Sequence, residues 1–318
     1  MAAIKFIEVK SELGAGTRGA SLGIDALRIA CANQKDDLFL YIKNEQVKTE
    51  NNFLFIHDTN NYAKRIEGII TMYNRIARTV KAGVQSEKFP IVLAGDHSNA
   101  GGTIAGIKAA HPDKKLGVVW IDAHADLHTP YTTPSGNLHG MPLATALGID
   151  NIDCKRNEPD EETKASWNAL KNMCEIQPKV DPENLIFVGV RDTEIQEDHL
   201  IRTNEIKNFT VDEVRKKGTK IVIEEIQNKL ANCELIYISF DVDSMDSSYS
   251  VGTGTPVENG LTIEEAKDLV TTLGSLEKTC CVEFTEINPT LDTKNKMAEN
   301  AFGILKSLVE TIDPNYKK

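Results

Sequence analysis

The fold is decided by the stretch Leu116–Gly–Val–Val–Trp–Ile–Asp–Ala–His–Ala–Asp126, in which an apolar run passes directly into alternating metal-capable residues. An uninterrupted apolar run of this length is typical of a strand that is buried on both faces of a parallel sheet. Residues two apart in an extended chain point to the same side, so Asp122, His124 and Asp126 are expected to converge where the strand ends.

Four further apolar runs predict buried strands of the same kind, and they lie at Ile91–Ala94, Leu185–Val190, Leu235–Phe240 and Cys280–Phe284. Helical patterns separate the runs: one spans Asn61–Val80 with Gly83 as its expected stop, one opens with the capping-box spacing Thr262–Glu265, and one covers Met297–Leu308. Alternation of strands with helices indicates an α/β fold with a mainly parallel sheet. No Pro-, Gly- or Ser-rich linker divides the 318 residues, which favours a single domain over residues 1–318.

Polar side chains follow each of the five runs immediately, at Asp96–His97, Asp122–Asp126, Arg191–Asp192, Asp241–Asp243 and Glu286. In open α/β sheets, ligands bind at the carboxyl ends of the strands. The histidines at positions 97, 124, 128 and 139 fall within the same part of the chain as the carboxylate run. The combination predicts a metal site at this edge of the sheet.

The candidate metal ligands are two imidazoles and four carboxylates, which is more than one ion needs: His97, His124, Asp122, Asp126, Asp241 and Asp243. Four carboxylates crowded together without counter-charge would strongly raise the pKa of some of them, whereas two divalent cations would compensate the charge. Oxygen-rich ligation with some imidazole suits two Mn²⁺, and the ligand types also admit Co²⁺, Ni²⁺, Fe²⁺ or Zn²⁺. Such a pair lowers the pKa of a bridging water, so the chemistry indicated is hydrolysis.

The composition argues against several classes of partner. A formal net charge of −11 disfavours binding to nucleic acid or to an anionic membrane, because phosphate binding needs clustered Lys and Arg. The first eight residues lack the apolar core of a signal peptide, and no stretch approaches membrane-spanning length. Six cysteines without a Cys-x-x-Cys pair are expected in a reducing cytoplasm. The charged and weakly helical segment 154–178 is interpreted as a surface excursion.

The motifs occur in an order that closely resembles the arginase branch of the ureohydrolases: Arg18–Gly–Ala20, Gly95–Asp–His–Ser98, Asp122–Asp126, Ser135–Gly–Asn–Leu–His–Gly140, Ser239–Phe–Asp–Val–Asp243, Thr253–Gly–Thr–Pro256 and Glu286–Ile–Asn–Pro289. The matching segments are spread over nearly the whole chain. The resemblance implies a three-layer α/β/α fold, a binuclear Mn²⁺ cluster, and hydrolysis of a guanidino group to urea and an amine by a metal-bridging hydroxide. It also implies a homo-oligomer, usually a trimer or a hexamer.

Carried over to this chain, the resemblance divides the ligands between two ions: one would take His97, Asp122, Asp126 and Asp241, and the other His124, Asp122, Asp241 and Asp243. The same resemblance implies three catalytic roles. Asp126 would pass a proton to the leaving amine, His139 would shuttle protons, and Glu286 would receive the guanidinium in bidentate contact. Thr255 would line the guanidinium pocket.

The loop at residues 135–139 resembles the part of the family's site that binds a substrate's α-carboxylate. Ser135 and Asn137 would hydrogen-bond that group. His128 stands where arginases commonly have an Asn that contacts the same carboxylate. A His can still donate a hydrogen bond, but its presence leaves selectivity for arginine open.

The segment after the third predicted strand has the spacing of the family's α-amino site. Glu194 falls at the amine-binding position, and Asp192 and Glu197 would support it. A carboxylate suits a cationic ammonium, although Glu194 is longer by one methylene than the Asp usual in the family.

The leading hypothesis is hydrolysis of L-arginine to L-ornithine and urea. The nearest alternative is a related ureohydrolase acting on agmatine, guanidinobutyrate or formiminoglutamate. Those branches generally lack the Ser–Gly–Asn–Leu–His run at 135–139, so the presence of the run favours an α-amino-acid substrate. Metal-dependent deacetylation on the same superfold needs only one ion, so His97, Asp126 and Asp243 argue against it. An arginase-like protein that kept the site but lost turnover is the non-catalytic alternative.

Overall fold

An eight-stranded sheet crosses the centre of the protein, and every pair of neighbouring strands in it is parallel. The computed structural model describes residues 3–86 and 88–316, so the ends of the predicted domain, residues 1 and 318, lie outside the described residues. The strands are β1 Ile4–Val9, β2 Asn44–Gln46, β3 Phe89–Ala94, β4 Leu116–Ile121, β5 Leu185–Val188, β6 Lys207–Phe209, β7 Leu235–Asp241 and β8 Thr279–Thr285. They lie side by side in the order β2-β1-β3-β8-β7-β4-β5-β6.

The five strands predicted from the sequence are β3, β8, β7, β4 and β5, which are direct neighbours in the middle of the sheet. Strand β4 shows why these strands are continuously apolar: Val119 and Ile121 pack into the core on one face, and Val118 and Trp120 pack into the core on the other. Because parallel strands end at the same edge of a sheet, the polar residues that follow these five strands are brought together.

Helices cover both faces of the sheet. They are α1 Gly23–Asn33, α2 Leu38–Tyr41, α3 Ile66–Gln85, α4 Ala100–Ala110, α5 Pro142–Leu147, α6 Glu161–Lys171, α7 Ile195–Thr203, α8 Val211–Lys217, α9 Thr219–Lys229, α10 Ile263–Gly274 and α11 Lys296–Ile312. Helices α1, α2 and α8 to α11 contribute to the core on one face, and α3 to α7 contribute to the core on the other. The predicted three-layer α/β/α arrangement is confirmed, and the sheet is wholly parallel rather than mainly so.

Helix α3 differs from its predicted bounds at both ends. It begins at Ile66 and not at residue 61, because the Asn60 side chain accepts hydrogen bonds from the backbone N–H groups of residues 62 and 63 and fixes a turn there. The helix runs past Gly83 and ends before Ser86, whose hydroxyl donates to the Gly83 carbonyl at 2.8 Å. Gly83 is therefore a helical residue, and the stop predicted there is wrong.

The segment 154–178 contains helix α6 and is not a surface excursion throughout. Asp160 caps the helix by accepting a hydrogen bond from the Thr163 N–H at 2.8 Å. Trp167 and Leu170 are buried in the core on the α3 side of the sheet, and the Trp167 indole donates to Asp150 at 2.8 Å. The apolar stripe covers few positions among charged residues, which is why the sequence pattern understates the burial of this helix.

All six cysteines are free thiols, and Cys281 is fully buried while its neighbour Cys280 is partly buried. No disulfide therefore contributes to the described fold. Of the helices in residues 3–86 and 88–316, none combines the length and the apolar character needed to cross a lipid bilayer.

Candidate active site

The first candidate ligand group surrounds the imidazole of His97, where β3, β4 and β7 end. His97 Nδ1 lies 3.0 Å from an Asp122 oxygen, 3.1 Å from an Asp126 oxygen and 3.2 Å from an Asp241 oxygen. All four side chains are buried. Three carboxylates and one imidazole thus crowd around a single point away from water, and they are the residues predicted to hold one of two ions.

The second candidate ligand group shares Asp122 with the first. His124 Nδ1 lies 3.5 Å from Asp122 Oδ1 and 3.1 Å from Asp243 Oδ2. Backbone N–H groups fix both carboxylates: Asp122 Oδ1 accepts from His124 at 2.7 Å, and Asp243 Oδ1 accepts from Ala123 at 3.2 Å. Asp241, which the resemblance assigns to both ions, is grouped with the first ligand set alone.

The unsatisfied polar atoms of the two groups fit bound cations. His97 Nδ1 and Asp122 Oδ2 are buried and have no hydrogen-bond partner among the described residues. Buried polar atoms normally have a partner, and a cation would accept a lone pair from each. The charge agrees with this: burial, together with Asp243 and Asp122, raises the pKa of Asp241 well above its usual range. The donor set therefore matches two divalent ions.

Two contacts that do not involve Nδ1 orient the His97 ring. Its Nε2 lies 2.7 Å from the Ser239 hydroxyl oxygen. The ring also stacks on Trp120, with centroids 3.9 Å apart and planes inclined by 6°. Ser239 lies two residues before Asp241 on β7, so one strand face supplies both a candidate ligand and the group that positions another candidate ligand.

Two acidic residues of the site adopt a left-handed backbone conformation, with φ of +50° at Asp126 and +64° at Glu286. Residues other than glycine rarely take this conformation, and it accumulates where a site needs a side chain aimed in one direction. Backbone hydrogen bonds hold both turns: the Asp126 carbonyl accepts from the Leu143 N–H at 3.3 Å, and the Glu286 N–H donates to the Gly95 carbonyl at 2.8 Å.

Glu286 and His139 form a pair next to the first ligand group. Glu286 Oε1 lies 3.2 Å from His139 Nδ1 and accepts a hydrogen bond from the His97 N–H at 2.9 Å. Burial opposes ionisation of Glu286, but His139 outweighs it and the pKa of Glu286 is lowered. Burial likewise opposes protonation of His139, but Glu286 raises its pKa. Each group stabilises the charged form of the other.

An open cavity of about 250 Å³ leads from the ligand groups to the surface. It is lined by all six residues that the resemblance assigns to the substrate: His128, Ser135, Asn137, Asp192, Glu194 and Thr255. The Thr255 hydroxyl donates to Asp243 Oδ2 at 3.1 Å, which places it beside the second ligand group. Ser135 and Asn137 belong to one turn, because the Asn137 N–H donates to the Ser135 hydroxyl oxygen at 3.2 Å.

Asp192, Glu194 and Glu197 line the cavity around the start of α7, and this part of the cavity is called its outer end. Glu194 caps the helix, and Glu197 completes a capping box by accepting from the Glu194 N–H at 3.1 Å. The other Glu197 oxygen accepts from the Leu127 N–H at 3.1 Å, which ties the helix to the loop that carries Asp126. The Asp192 side chain is 64% exposed and lies 3.6 Å from His124 Nε2.

His128 is buried beside these carboxylates. Its Nε2 lies 3.5 Å from a Glu197 oxygen, and its Nδ1 lies 3.3 Å from the Thr132 hydroxyl oxygen. Burial lowers the pKa of His128 to about 4. The imidazole is therefore neutral at pH 7 and offers a hydrogen bond but no charge.

One ion pair at this end is absent from the sequence prediction. Arg156 Nη1 lies 3.3 Å from a Glu194 oxygen. The next residue, Asn157, donates from its side chain to the carbonyls of Pro130 and Thr133 at 3.1 and 2.7 Å. No local signal marks Arg156, because it stands in a charged segment and its partner lies 38 residues away.

Comparison with known proteins agrees with this geometry. The Arginase family model matches residues 2–310. The arginase of Bacillus subtilis (strain 168) is 33% identical over 315 residues, which cover 96% of this chain and 97% of that protein. Among solved structures, the arginase from Bacillus caldovelox has a TM-score of 0.82 at 35% identity, covering 97% of this chain and 98% of that one. Entamoeba histolytica arginase, solved in complex with L-ornithine, also has a TM-score of 0.82, at 27% identity and with the same coverage. The chain therefore belongs to the arginase family.

Proposed function

We propose that this protein hydrolyses L-arginine to L-ornithine and urea with the help of two divalent cations, and that the metal is Mn²⁺. Membership of the arginase family confirms the predicted enzyme class, a metal-dependent amidinohydrolase. The observation that carries the proposal is a single cavity in which two ligand groups sharing Asp122 lie beside the Glu286–His139 pair.

The ligand assignment follows the resemblance: His97, Asp122, Asp126 and Asp241 would hold one ion, and His124, Asp122, Asp241 and Asp243 would hold the other. The two groups described above support it for every residue except Asp241 at the second ion. When bound, the cations supply Lewis acidity and lower the pKa of water enough for it to act as a nucleophile at neutral pH. The unsatisfied His97 Nδ1 and Asp122 Oδ2 atoms support this assignment. Oxygen-rich ligation with two imidazoles supports Mn²⁺, and Co²⁺ is the nearest alternative.

The residues beside the ligand groups would bind the guanidinium and move protons. Glu286 would receive the guanidinium, because a buried and ionised carboxylate pairs well with its parallel N–H donors. Water adds to the guanidino carbon and the C–N bond to the substrate's δ-nitrogen breaks, so that nitrogen must gain a proton as it leaves. Asp126 would give this proton, and His139 would exchange protons with the solvent side through its ring nitrogens. Thr255 would line the guanidinium pocket.

The outer end of the cavity would bind the amino-acid part of the substrate. Ser135, Asn137 and His128 would hydrogen-bond the α-carboxylate, and Glu194 and Asp192 would attract the α-ammonium; all of them line the cavity. Agmatine lacks the carboxylate and guanidinobutyrate lacks the ammonium. Each of these rival substrates would leave one half of this end without a partner.

Urea release after Mn²⁺ loading tests the proposal, with L-arginine and agmatine measured side by side and metal content determined in the same samples. Release from L-arginine alone would support the assignment of both ends of the cavity. Release from agmatine alone would keep the hydrolytic chemistry but contradict the substrate end. No release from either compound by fully loaded protein would leave three alternatives. The protein would act on another guanidino compound such as guanidinobutyrate, it would hydrolyse formiminoglutamate, or it would have lost turnover.

We also propose that residues 1–318 form one domain and that the protein works in the cytoplasm as a homo-oligomer, either a trimer or a hexamer. The net charge of −11 supports the absence of a nucleic-acid or anionic-membrane partner. Six free thiols support a reducing compartment. The oligomer rests on the resemblance alone, and light scattering coupled to size-exclusion chromatography tests it: a monomer mass would contradict the proposal.

A further inference from the structure

The outer end of the cavity has no fixed positive charge among the residues assigned so far. Ser135 and Asn137 carry no charge, and the His128 imidazole is buried. The carboxylates Asp192 and Glu194 line the same end. With these residues alone, the outer end would attract the ammonium of an amino acid and repel its carboxylate.

Arg156 is not itself one of the lining residues, but it lies beside this end of the cavity as the ion-pair partner of Glu194. Its Nη1 atom lies 3.3 Å from a Glu194 oxygen. Of the Lys and Arg residues in the described part of the chain, only Arg156 forms an ion pair with a carboxylate that lines this cavity.

Backbone contacts hold Arg156 against the loop that carries Ser135. The N–H groups of Arg156 and Asn157 donate to the Tyr131 carbonyl at 2.9 and 3.0 Å. The Asn157 side chain donates to the Thr133 carbonyl at 2.7 Å, and the Thr133 hydroxyl oxygen accepts from the Ser135 N–H at 3.2 Å. Hydrogen bonds therefore fix the backbone at Arg156, whereas 45% of its side chain is exposed to solvent.

We propose that Arg156 is a specificity-determining residue, which pairs with the α-carboxylate of an amino-acid substrate while Glu194 pairs with the α-ammonium. The inference rests on the proposed function, because it requires an α-amino acid at the outer end of the cavity. An α-amino acid carries both charges on one carbon, and the Glu194–Arg156 pair presents the two complementary charges side by side. The fork of five N–H donors lets one guanidinium stay on Glu194 and reach a second carboxylate.

Two other roles for Arg156 make different predictions. The ion pair is about half exposed, with 45% and 43% of the two side chains accessible, and exposed pairs contribute little to folding stability. If the pair nevertheless held the loop in place, its removal would weaken all ligands equally. If Arg156 competed with the substrate's ammonium for Glu194, its removal would tighten the binding of L-ornithine.

The test compares R156Q and R156K with the wild type, with R202Q as a control that removes the same charge from an exposed position near the end of α7. Titration calorimetry measures binding of L-ornithine and of putrescine to Mn²⁺-loaded protein, since these two ligands differ only in the α-carboxylate. We expect R156Q to bind L-ornithine about tenfold more weakly, through loss of a charge-assisted hydrogen bond, and to bind putrescine no more weakly than the wild type. R156K should fall between the two, and R202Q should match the wild type.

Steady-state kinetics give a second readout that separates binding from chemistry. R156Q should raise the KM for L-arginine by a similar factor and leave kcat almost unchanged. Unchanged or tighter L-ornithine binding by R156Q would overturn the inference, and so would an equal loss for L-ornithine and putrescine. Urea release by the wild type judges the proposed function separately: a wild type active on L-arginine, together with an R156Q that retains full L-ornithine affinity, refutes only the role of Arg156.

Discussion

Replacing Glu283 with Gln should stabilise the metal-free protein at high pH and change its stability much less at low pH. Glu283 lies on β8 and is fully buried. One of its oxygens accepts a hydrogen bond from the Tyr237 hydroxyl at 3.0 Å, and the other has no hydrogen-bond partner among the described residues. Burial raises the pKa of Glu283 from its usual 4.5 to about 7.

The size of the effect follows from this pKa shift. The difference between about 7 and 4.5 corresponds to roughly 3–4 kcal/mol, at about 1.4 kcal/mol for each pKa unit. Because the folded pKa is the higher one, the folded protein binds this proton more tightly than the unfolded chain does. The stabilising contribution is complete below about pH 4.5 and is lost as the pH rises through about 7. Above that range the folded protein carries a buried charge that the neutral Gln avoids.

Urea unfolding of the wild type and E283Q at about pH 5 and about pH 8, with a chelator present, measures the effect. The informative quantity is a difference of differences. The difference in the free energy of unfolding between the two proteins is taken at the higher pH, and the same difference at the lower pH is subtracted from it, because packing changes contribute equally at both. We expect a value of about 2–3 kcal/mol in favour of E283Q. The matched control E277Q makes the same chemical change at an exposed position and should give a value near zero. A difference between wild type and E283Q that does not vary with pH would refute the reasoning.

Three further substitutions test individual roles in the active site, and melting curves should confirm that each variant folds. Asp241→Asn should lower the bound Mn²⁺ measured by atomic absorption and abolish urea release, because an anionic ligand is lost; full metal content would exclude the ligand role. His139→Asn should lower kcat for L-arginine about 10²- to 10⁴-fold at unchanged metal content, since a proton-transfer group is lost. A kcat equal to that of the wild type would contradict that role. Glu194→Ala should raise the KM for L-arginine about tenfold with little change in kcat, because a charge-assisted contact to the ammonium is lost. An unchanged KM would show that the amine binds elsewhere.

The strands in the middle of the sheet are predictable from the sequence because helices cover both of their faces. Successive side chains therefore all face a core, and the strands are apolar without interruption. The outer strands β1, β2 and β6 lack this uninterrupted apolar pattern. Strand β1 carries Glu8, which is buried and pairs with Arg28 at 2.5 Å, so a charge interrupts its apolar pattern. Strands β2 and β6 have three residues each, too few for any period to be recognised, and all three residues of β2 are exposed.

The two candidate ligand groups are predictable for a related reason. Asp122, His124 and Asp126 are spaced along one short segment, and the rule that parallel strands end at one edge brings Asp241 to them. The Arg156–Glu194 pair is not predictable in this way, because its partners are 38 residues apart and Arg156 is positioned by hydrogen bonds to the Tyr131 carbonyl, which no sequence pattern indicates. Their side chains carry no signal beyond charge, and charged residues are common throughout the segment 154–178.

The left-handed backbone at Asp126 and Glu286 sets thermal stability against turnover at these two positions. Glycine adopts φ values of +50° and +64° without steric hindrance, so Gly at either position would remove roughly 1 kcal/mol of strain from the fold. It would also delete a carboxylate that the proposed reaction needs. Selection for heat resistance alone would therefore favour Gly at both positions and give an inactive protein. A library designed to stabilise this enzyme should hold both residues constant.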